Sequence, residues 1–237
     1  MEKESITKPI INTPSEDFLA RFGGLARLYG LESLKLFSQS KIAIIGIGGV
    51  GSWAAEALAR SGIGEIHLID MDELCITNTN RQIHATQQEL YKPKVDALER
   101  RLLSINPEIK VVKKLDFFTE ETAMEILSPS FDFVIDAIDS LRNKSLLASL
   151  CKQKSIELVV CGGAGGLQDP TQIKISDLSK SYNDGLLHQM RKRLRQKLGF
   201  PRGRKNFGIQ CVFSSEDVHT IGEDGCPTQS KENLPGG

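Results

Sequence analysis

The segment KIAIIGIGGVGS, residues 41–52, runs from continuous apolar sequence straight into four glycines. Residues 41–46 lack the alternation of a half-solvated strand, so they read as a parallel strand buried on both faces. The glycines let the backbone approach a ligand closely. Residues 48–61 then read as a helix carrying Ala54, Ala55, Ala57, Leu58 and Ala59. Strand, glycine turn and helix in this order make an anion cradle, because a helix N-terminus offers unpaired N–H groups and the positive end of its dipole. The next strand, residues 65–70 (EIHLID), ends in Asp70, placed to accept ribose hydroxyls. A packing turn without a ligand is the alternative, and the strand–turn–helix–strand context disfavours it.

Outward from this segment, strands and helices alternate. On the N-terminal side, residues 1–17 form a polar arm and 17–38 have helical spacing. On the other side, a long polar segment (71–91) precedes a helix at 94–105, a strand at 108–113, a helix at 120–127 and a buried strand at 132–137. A helix at 142–154 and a strand at 157–161 follow. Alternation of this kind predicts an α/β fold: a Rossmann-like, doubly wound, mostly parallel sheet with helices on both faces. Past a permissive turn, GGAGG at 162–166, the pattern predicts a strand at 172–175, a basic amphipathic helix at 184–198 and a last short strand at 208–213. The expected organisation is an arm (1–17), one domain (18–214) whose basic helical segment spans about 184–205, and a polar, poorly ordered tail (215–237).

Composition agrees with a single folded domain. The chain has 237 residues, 40% of them hydrophobic and 25% charged, enough to bury a core without disulfide or metal staples. No apolar run approaches a membrane span, and the N-terminus has no hydrophobic signal core. Five scattered cysteines (75, 151, 161, 211, 226) without a CxxC pair fit a reducing, cytoplasmic setting and give no reason to expect zinc. Thirty Lys/Arg balance thirty Asp/Glu, but residues 188–205 hold eight basic residues and no acidic one. That is one basic patch on an otherwise acidic protein, suited to an anionic partner at one place.

The polar segment separates a triphosphate from a dinucleotide. Asp70-Met-Asp72 is followed by Asn78-Thr-Asn80-Arg81-Gln82 and then Lys94. Arg81 and Lys94 supply cations for a polyphosphate, with Asn80 and Gln82 as neutral donors. A dehydrogenase has no use for such a series, so an NAD oxidoreductase is the weakest alternative. A second group, Asp136-Ala-Ile-Asp139-Ser140 with Lys144 after it, follows a buried strand. A carboxylate facing a triphosphate needs a cation between them, which implies Mg²⁺ at Asp139. Asp139 or Ser140 could instead cap the next helix; the cap is favoured for Ser140 and the site for Asp139. For His67 and His84 a structural place is favoured over proton transfer.

These motifs resemble the E1-like family of adenylating enzymes, which includes ThiF, MoeB and ubiquitin-activating relatives. The stretches ARLYG (26–30), GVGSWAAEALARSGIG (49–64), NTNRQIHA (78–85), INPE (105–108) and GGAGGLQDPTQI (162–173) are similar to the tRNA threonylcarbamoyladenosine dehydratase branch. The resemblance implies ATP–Mg²⁺ binding and transfer of AMP to the carboxylate of threonylcarbamoyladenosine (t6A) at position 37 of tRNA. Ring closure within the modification would then release AMP and leave the cyclic product. By the same resemblance Gly46, Gly48, Gly49 and Gly51 line the phosphates, Asp70 holds the ribose, and Asp72 belongs to the same nucleotide site. Asn80, Arg81, Gln82 and Lys94 grip the triphosphate, and Asp139 places Mg²⁺, with Arg81, Lys94 and Asp139 as the catalytic set. The family implies a homodimer in which an N-terminal arginine, here Arg21 or Arg27, reaches the partner's ATP. A sulfur-transfer system with a cysteine desulfurase is a further possible partner. Arg191, Lys192, Arg195 and Lys197 are the residues expected to face the tRNA backbone.

Two alternatives stay open: an E1-like activator of a sulfur-carrier protein, and a truncated, non-catalytic nucleotide- or tRNA-binding module. The second arises because the family continues into a further glycine-rich segment and an apolar helix, whereas this chain ends SKENLPGG.

Overall fold

The computed structural model describes residues 14–203, 205–221 and 227–228. Seven strands form one sheet in the order β3-β2-β1-β4-β5-β7-β6: β1 (Lys41–Ile45), β2 (Glu65–Ile69), β3 (Lys110–Lys114), β4 (Phe133–Asp136), β5 (Glu157–Cys161), β6 (Ile173–Asp177) and β7 (Gln210–Ser214). Six run parallel; β6 pairs antiparallel with β7 at the edge. This is the mostly parallel, doubly wound sheet expected from the alternation of elements. The chain order reverses between β1 and β4, which opens a crevice at their carboxyl ends.

Helices cover both faces: α1 (Glu16–Tyr29), α2 (Leu31–Gln39), α3 (Gly51–Arg60), α4 (Lys94–Ile105), α5 (Ala123–Ile126), α6 (Leu141–Lys154) and α7 (Gly185–Lys197). The continuous apolar run in β1 is needed because each of its faces meets a different core. Ile42 and Ile44 pack with Ala55 and Ala59 of α3 and Leu98 and Leu102 of α4. Ala43 and Ile45 belong to the opposite cluster, with Leu147 and Ala148 of α6 and Leu187 and Met190 of α7. Burying each such side chain stabilises the fold by about 1.5–3 kcal/mol.

Several expected boundaries move. The single helix at 17–38 is two, because Gly30 turns the chain with φ +86°. Ser15 starts α1 by accepting the Phe18 N–H at 2.9 Å, so the arm ends before residue 17. The helix expected at 120–127 contracts to α5, four residues. The expected tail boundary at 215 falls within packed structure: Glu216 is buried, and its carboxylate accepts the N–H groups of Gln168 and Asp169 at 3.0 Å. Most of the arm, Arg204, Cys226 and the final residues lie outside the described residues. Among the described residues no helix is long and apolar enough to cross a membrane.

Candidate active site

A cavity of about 850 Å³ opens at the carboxyl ends of β1, β2, β4 and β5. Its floor is the glycine turn after β1. Gly46 has φ +84°, its N–H donates to the Ile69 carbonyl at 2.9 Å, and a Cβ there would lie 2.8 Å from the Ala137 carbonyl oxygen. Gly48 and Gly49 line the cavity, under Gln82 and Arg81. The helix α3 begins at Gly51, three residues later than expected, and no side chain caps its first turn. Its dipole end therefore stays available to an anion. Gly51 itself is a packing residue and does not line the cavity: a Cβ on it would stand 1.9 Å from the Gly46 carbonyl oxygen.

Asp70 braces this floor. Its Oδ2 accepts the Ile47 N–H and its Oδ1 the Asp72 N–H, both at 2.9 Å. Each oxygen keeps a second lone pair, enough for a ribose hydroxyl. Lys94, the first residue of α4, is buried and points back to the same place. Its Nζ lies 2.6 Å from Asp72 Oδ2 and 3.8 Å from Asp70 Oδ1. A cation thus stands ready beside two carboxylates, and phosphate oxygens would compete for it.

The polar loop after β2 contributes the second cation. Arg81 is exposed, and its Nη1 donates to the Thr77 carbonyl at 2.9 Å and to Asn80 Oδ1 at 3.0 Å. Trp53 Nε1 holds the Arg81 carbonyl at 2.9 Å. Asn80 is not among the residues lining the cavity; its Oδ1 holds the guanidinium, and Asn78 is the asparagine in the wall. Gln82 is buried, and its Oε1 has no partner among the described residues.

The wall beside the glycine turn is set by β4 and by Ala137 just past it, which packs against Gly46. Asp139 is exposed to the cavity just past the strand. Ser140 stands at the N-cap of α6, but its side chain makes no capping bond, contrary to the sequence expectation. Lys144 does not reach the cavity. It is fully buried against Asp136, with Nζ 2.8 Å from Oδ1 and 3.3 Å from the Asp136 carbonyl oxygen. Asp136 Oδ1 also accepts the Ile138 N–H at 3.1 Å, which fixes the turn that carries Asp139. Burial pushes the Asp136 carboxyl up against the pull of Lys144, and its Oδ2 has no partner among the described residues.

Sequence reasoning missed part of the lining. Asp116–Thr119 follow β3, and Asn143 and Leu186 come from α6 and α7. They carry no motif; only the sheet order brings them to the crevice. Cys161 also lines the cavity, and burial pushes its thiol up to about 11, so it is not a thiolate nucleophile. Cys151 and Cys211 are buried, and Cys75 is exposed. His84 is buried and neither ring nitrogen has a partner among the described residues. Burial, then the charges of Lys94 and Arg101, push it down to about 4, so it is a neutral core residue at neutral pH. His67 bonds Glu65 at 2.6 Å and meets Phe131 edge-on.

The basic helix divides its four expected contacts. Lys192 and Lys197 are exposed. Arg191 turns inward to the Ser181 hydroxyl, and Arg195 lies over the Phe207 ring at 5.0 Å. Arg21 pairs with Asp17 at 2.8 Å on α1, and neither Arg21 nor Arg27 lines this cavity.

A glycine turn at the sheet's switch point, two cations and a carboxylate lining one cavity define a nucleotide-binding α/β protein built for a polyphosphate. The profile of the ThiF family matches residues 23–203. The chain is 46% identical over 223 residues to tRNA threonylcarbamoyladenosine dehydratase of Escherichia coli, covering 94% of this chain and 83% of that one. It is 44% identical over 224 residues to the enzyme of the same name from Haemophilus influenzae, covering 94% and 86%. The crystal structure of the Escherichia coli dehydratase in complex with ATP superposes with a TM-score of 0.85 at 47% identity, covering 87% of this chain and 85% of that one. The chain belongs to the ThiF family, on the branch of the tRNA threonylcarbamoyladenosine dehydratases.

Proposed function

We propose that the protein is an ATP-dependent tRNA threonylcarbamoyladenosine dehydratase. It transfers AMP to the carboxylate of t6A at position 37, and ring closure then releases AMP. The observation that carries this reading is one cavity joining two walls. The turn at Gly46–Gly49, with Arg81 and Lys94, forms the phosphate wall; Asp139 and the turn at Gly162–Gly165 form the other. A carboxylate is a poor electrophile, because its oxygen leaves badly. A mixed anhydride with AMP removes that barrier, and pyrophosphate leaves as the anhydride forms. Arg81 and Lys94 neutralise the charge that builds on the phosphates, and the cradle aligns them. Closure is intramolecular, so the site needs no protein nucleophile, which agrees with a Cys161 thiol pushed up to about 11 by burial.

Asp139, which lines the cavity, would hold a magnesium ion arriving with ATP, and the ion would supply charge neutralisation. The donor set fits it, because Mg²⁺ is held by one or two carboxylates together with substrate phosphates. Arg21 and Arg27 lie outside their own cavity, so a catalytic role for either requires a homodimer. We place the enzyme in the cytoplasm with its tRNA substrate.

The test is nucleoside mass spectrometry on t6A-containing tRNA incubated with the protein, ATP and Mg²⁺. ATP-dependent loss of one water is expected. Asp139→Ala should abolish pyrophosphate release, by about a hundredfold or more, while the circular dichroism spectrum is retained. Pyrophosphate release without dehydration would mean another carboxylate substrate, such as a sulfur-carrier protein. Neither reaction would mean a binding module.

A further inference from the structure

One carboxylate joins the turn after β5 to the first turn of α7. Asp184 is 7% exposed. Its Oδ1 accepts the Leu187 N–H at 2.7 Å and so caps α7; its Oδ2 accepts the Gly163 N–H at 2.8 Å. The turn is pressed onto it so closely that a Cβ on Gly162 would stand 2.1 Å from Oδ2. The Gly162 N–H is held on its other side by the Val212 carbonyl at 2.8 Å. Gly163 and Gly165 face the other way. A Cβ on either meets nothing within 4 Å, and both line the cavity. Packing within the chain does not demand glycine at these two positions; the room they leave belongs to the cavity. Leu186, two residues past Asp184, lines the same wall.

The same helix carries the exposed charge. Leu187, Met190 and Leu194 seat it on the core, and no acidic residue interrupts Arg191–Lys197. At 1.5 Å per residue, Lys192 and Lys197 stand about 9 and 16 Å along the axis from Leu186. A rigid element therefore begins in the cavity wall and ends in a basic surface.

We propose that Asp184 is a positioning residue for the substrate side of the site. Its carboxylate locks the 162–165 turn to α7, so that a tRNA backbone held at Lys192 and Lys197 presents its modified nucleotide against a wall of fixed place. This inference rests on the dehydratase reading above. Asp184 touches neither phosphate nor ribose in that scheme; it acts through Gly163 and the helix.

The experiment uses the full chain with ATP and t6A-containing tRNA. Asp184→Asn keeps the volume but offers one acceptor where two are used. The Kd for ATP should stay within about twofold, whereas kcat for dehydration should fall about tenfold to a hundredfold, the cost of a misplaced reacting group. Asp184→Glu, which restores both acceptors, should recover part of that kcat. Reversing charge at Lys192 and Lys197 should act differently, raising KM for tRNA and flattening its salt dependence. Wild-type kcat in Asp184→Asn would overturn the proposal. So would an equal loss of ATP affinity, which marks a merely structural defect. Failure of the unmutated chain to dehydrate t6A would instead overturn the dehydratase reading.

Discussion

The cavity is bordered by two glycine-rich turns of opposite character. In the turn after β1, a Cβ on Gly51 would stand 1.9 Å from a backbone carbonyl oxygen; in the turn after β5, a Cβ on Gly162 would stand 2.1 Å from a side-chain carboxylate. The first obstacle is the main chain of the turn itself, held to β2 by the Gly46 N–H, and has nowhere to go. The second is Asp184, held by two hydrogen bonds and able to move if they break. Each turn also has glycines that touch little: Gly48 meets only Gln82 Nε2, at 3.7 Å, and Gly163 meets nothing. The phosphate turn is thus rigid by backbone packing and the substrate turn by side-chain bonding. A nucleotide common to many enzymes is met by the part that cannot adjust. The group peculiar to this enzyme is met by the part that one side chain sets.

The strand β4 lies between the two turns, and its buried ion pair is where both should fail together. Lys144→Met leaves Asp136 buried without its cation and should cost about 3–5 kcal/mol in chemical denaturation, with loss of ATP binding. A loss near zero would mean that the two walls do not depend on this pair. Gly51→Ala should cost about 2–3 kcal/mol, because overpacking falls on backbone, whereas Gly162→Ala should cost about 1 kcal/mol, because the Asp184 side chain can shift. Equal thermal shifts in the two variants would erase the contrast between the turns.

A pH-dependent effect concerns His84, which feels the charge of Lys94. Its folded-state pKa, about 4, lies below the ordinary value of 6.5. The unfolded chain therefore binds a proton that the folded chain refuses, and stability present above pH 6.5 is lost as pH falls toward 4. Between pH 7 and pH 5 the loss is about 2 kcal/mol. His84→Leu should remove that slope from the denaturation midpoints; an unchanged slope would place the titration elsewhere.

Much of the phosphate wall was legible because its parts are local in sequence. Gly46–Gly51, Asp70 and Lys94 stand where strand and helix periods put them, and the expected spans for α4 and β5 coincide with those observed. What was misread is instructive. Lys144 stands close after Asp139 in sequence, but the helical turn between them sends it into the core, against Asp136. Asn80 was expected beside the phosphates, yet it does not line the cavity, and its oxygen accepts from Arg81. Arg191 and Arg195 looked like surface charge, yet Ser181 and the Phe207 ring hold them. In each case a neighbouring group in the folded chain, not the residue type alone, decided where the polar atoms went.

The sequence by itself determined the sheet's parallel character, the cradle and the pair of cations, since apolar periodicity and glycine spacing are short-range signals that local backbone physics reads directly. The tertiary structure alone decided which walls face one another. Asp116–Thr119, Asn143, Gly163 and Leu186 share a cavity only because the strand order brings the ends of β3, β4 and β5 to one edge of the sheet. Contacts across that edge join residues too far apart in the chain for any local pattern to record them.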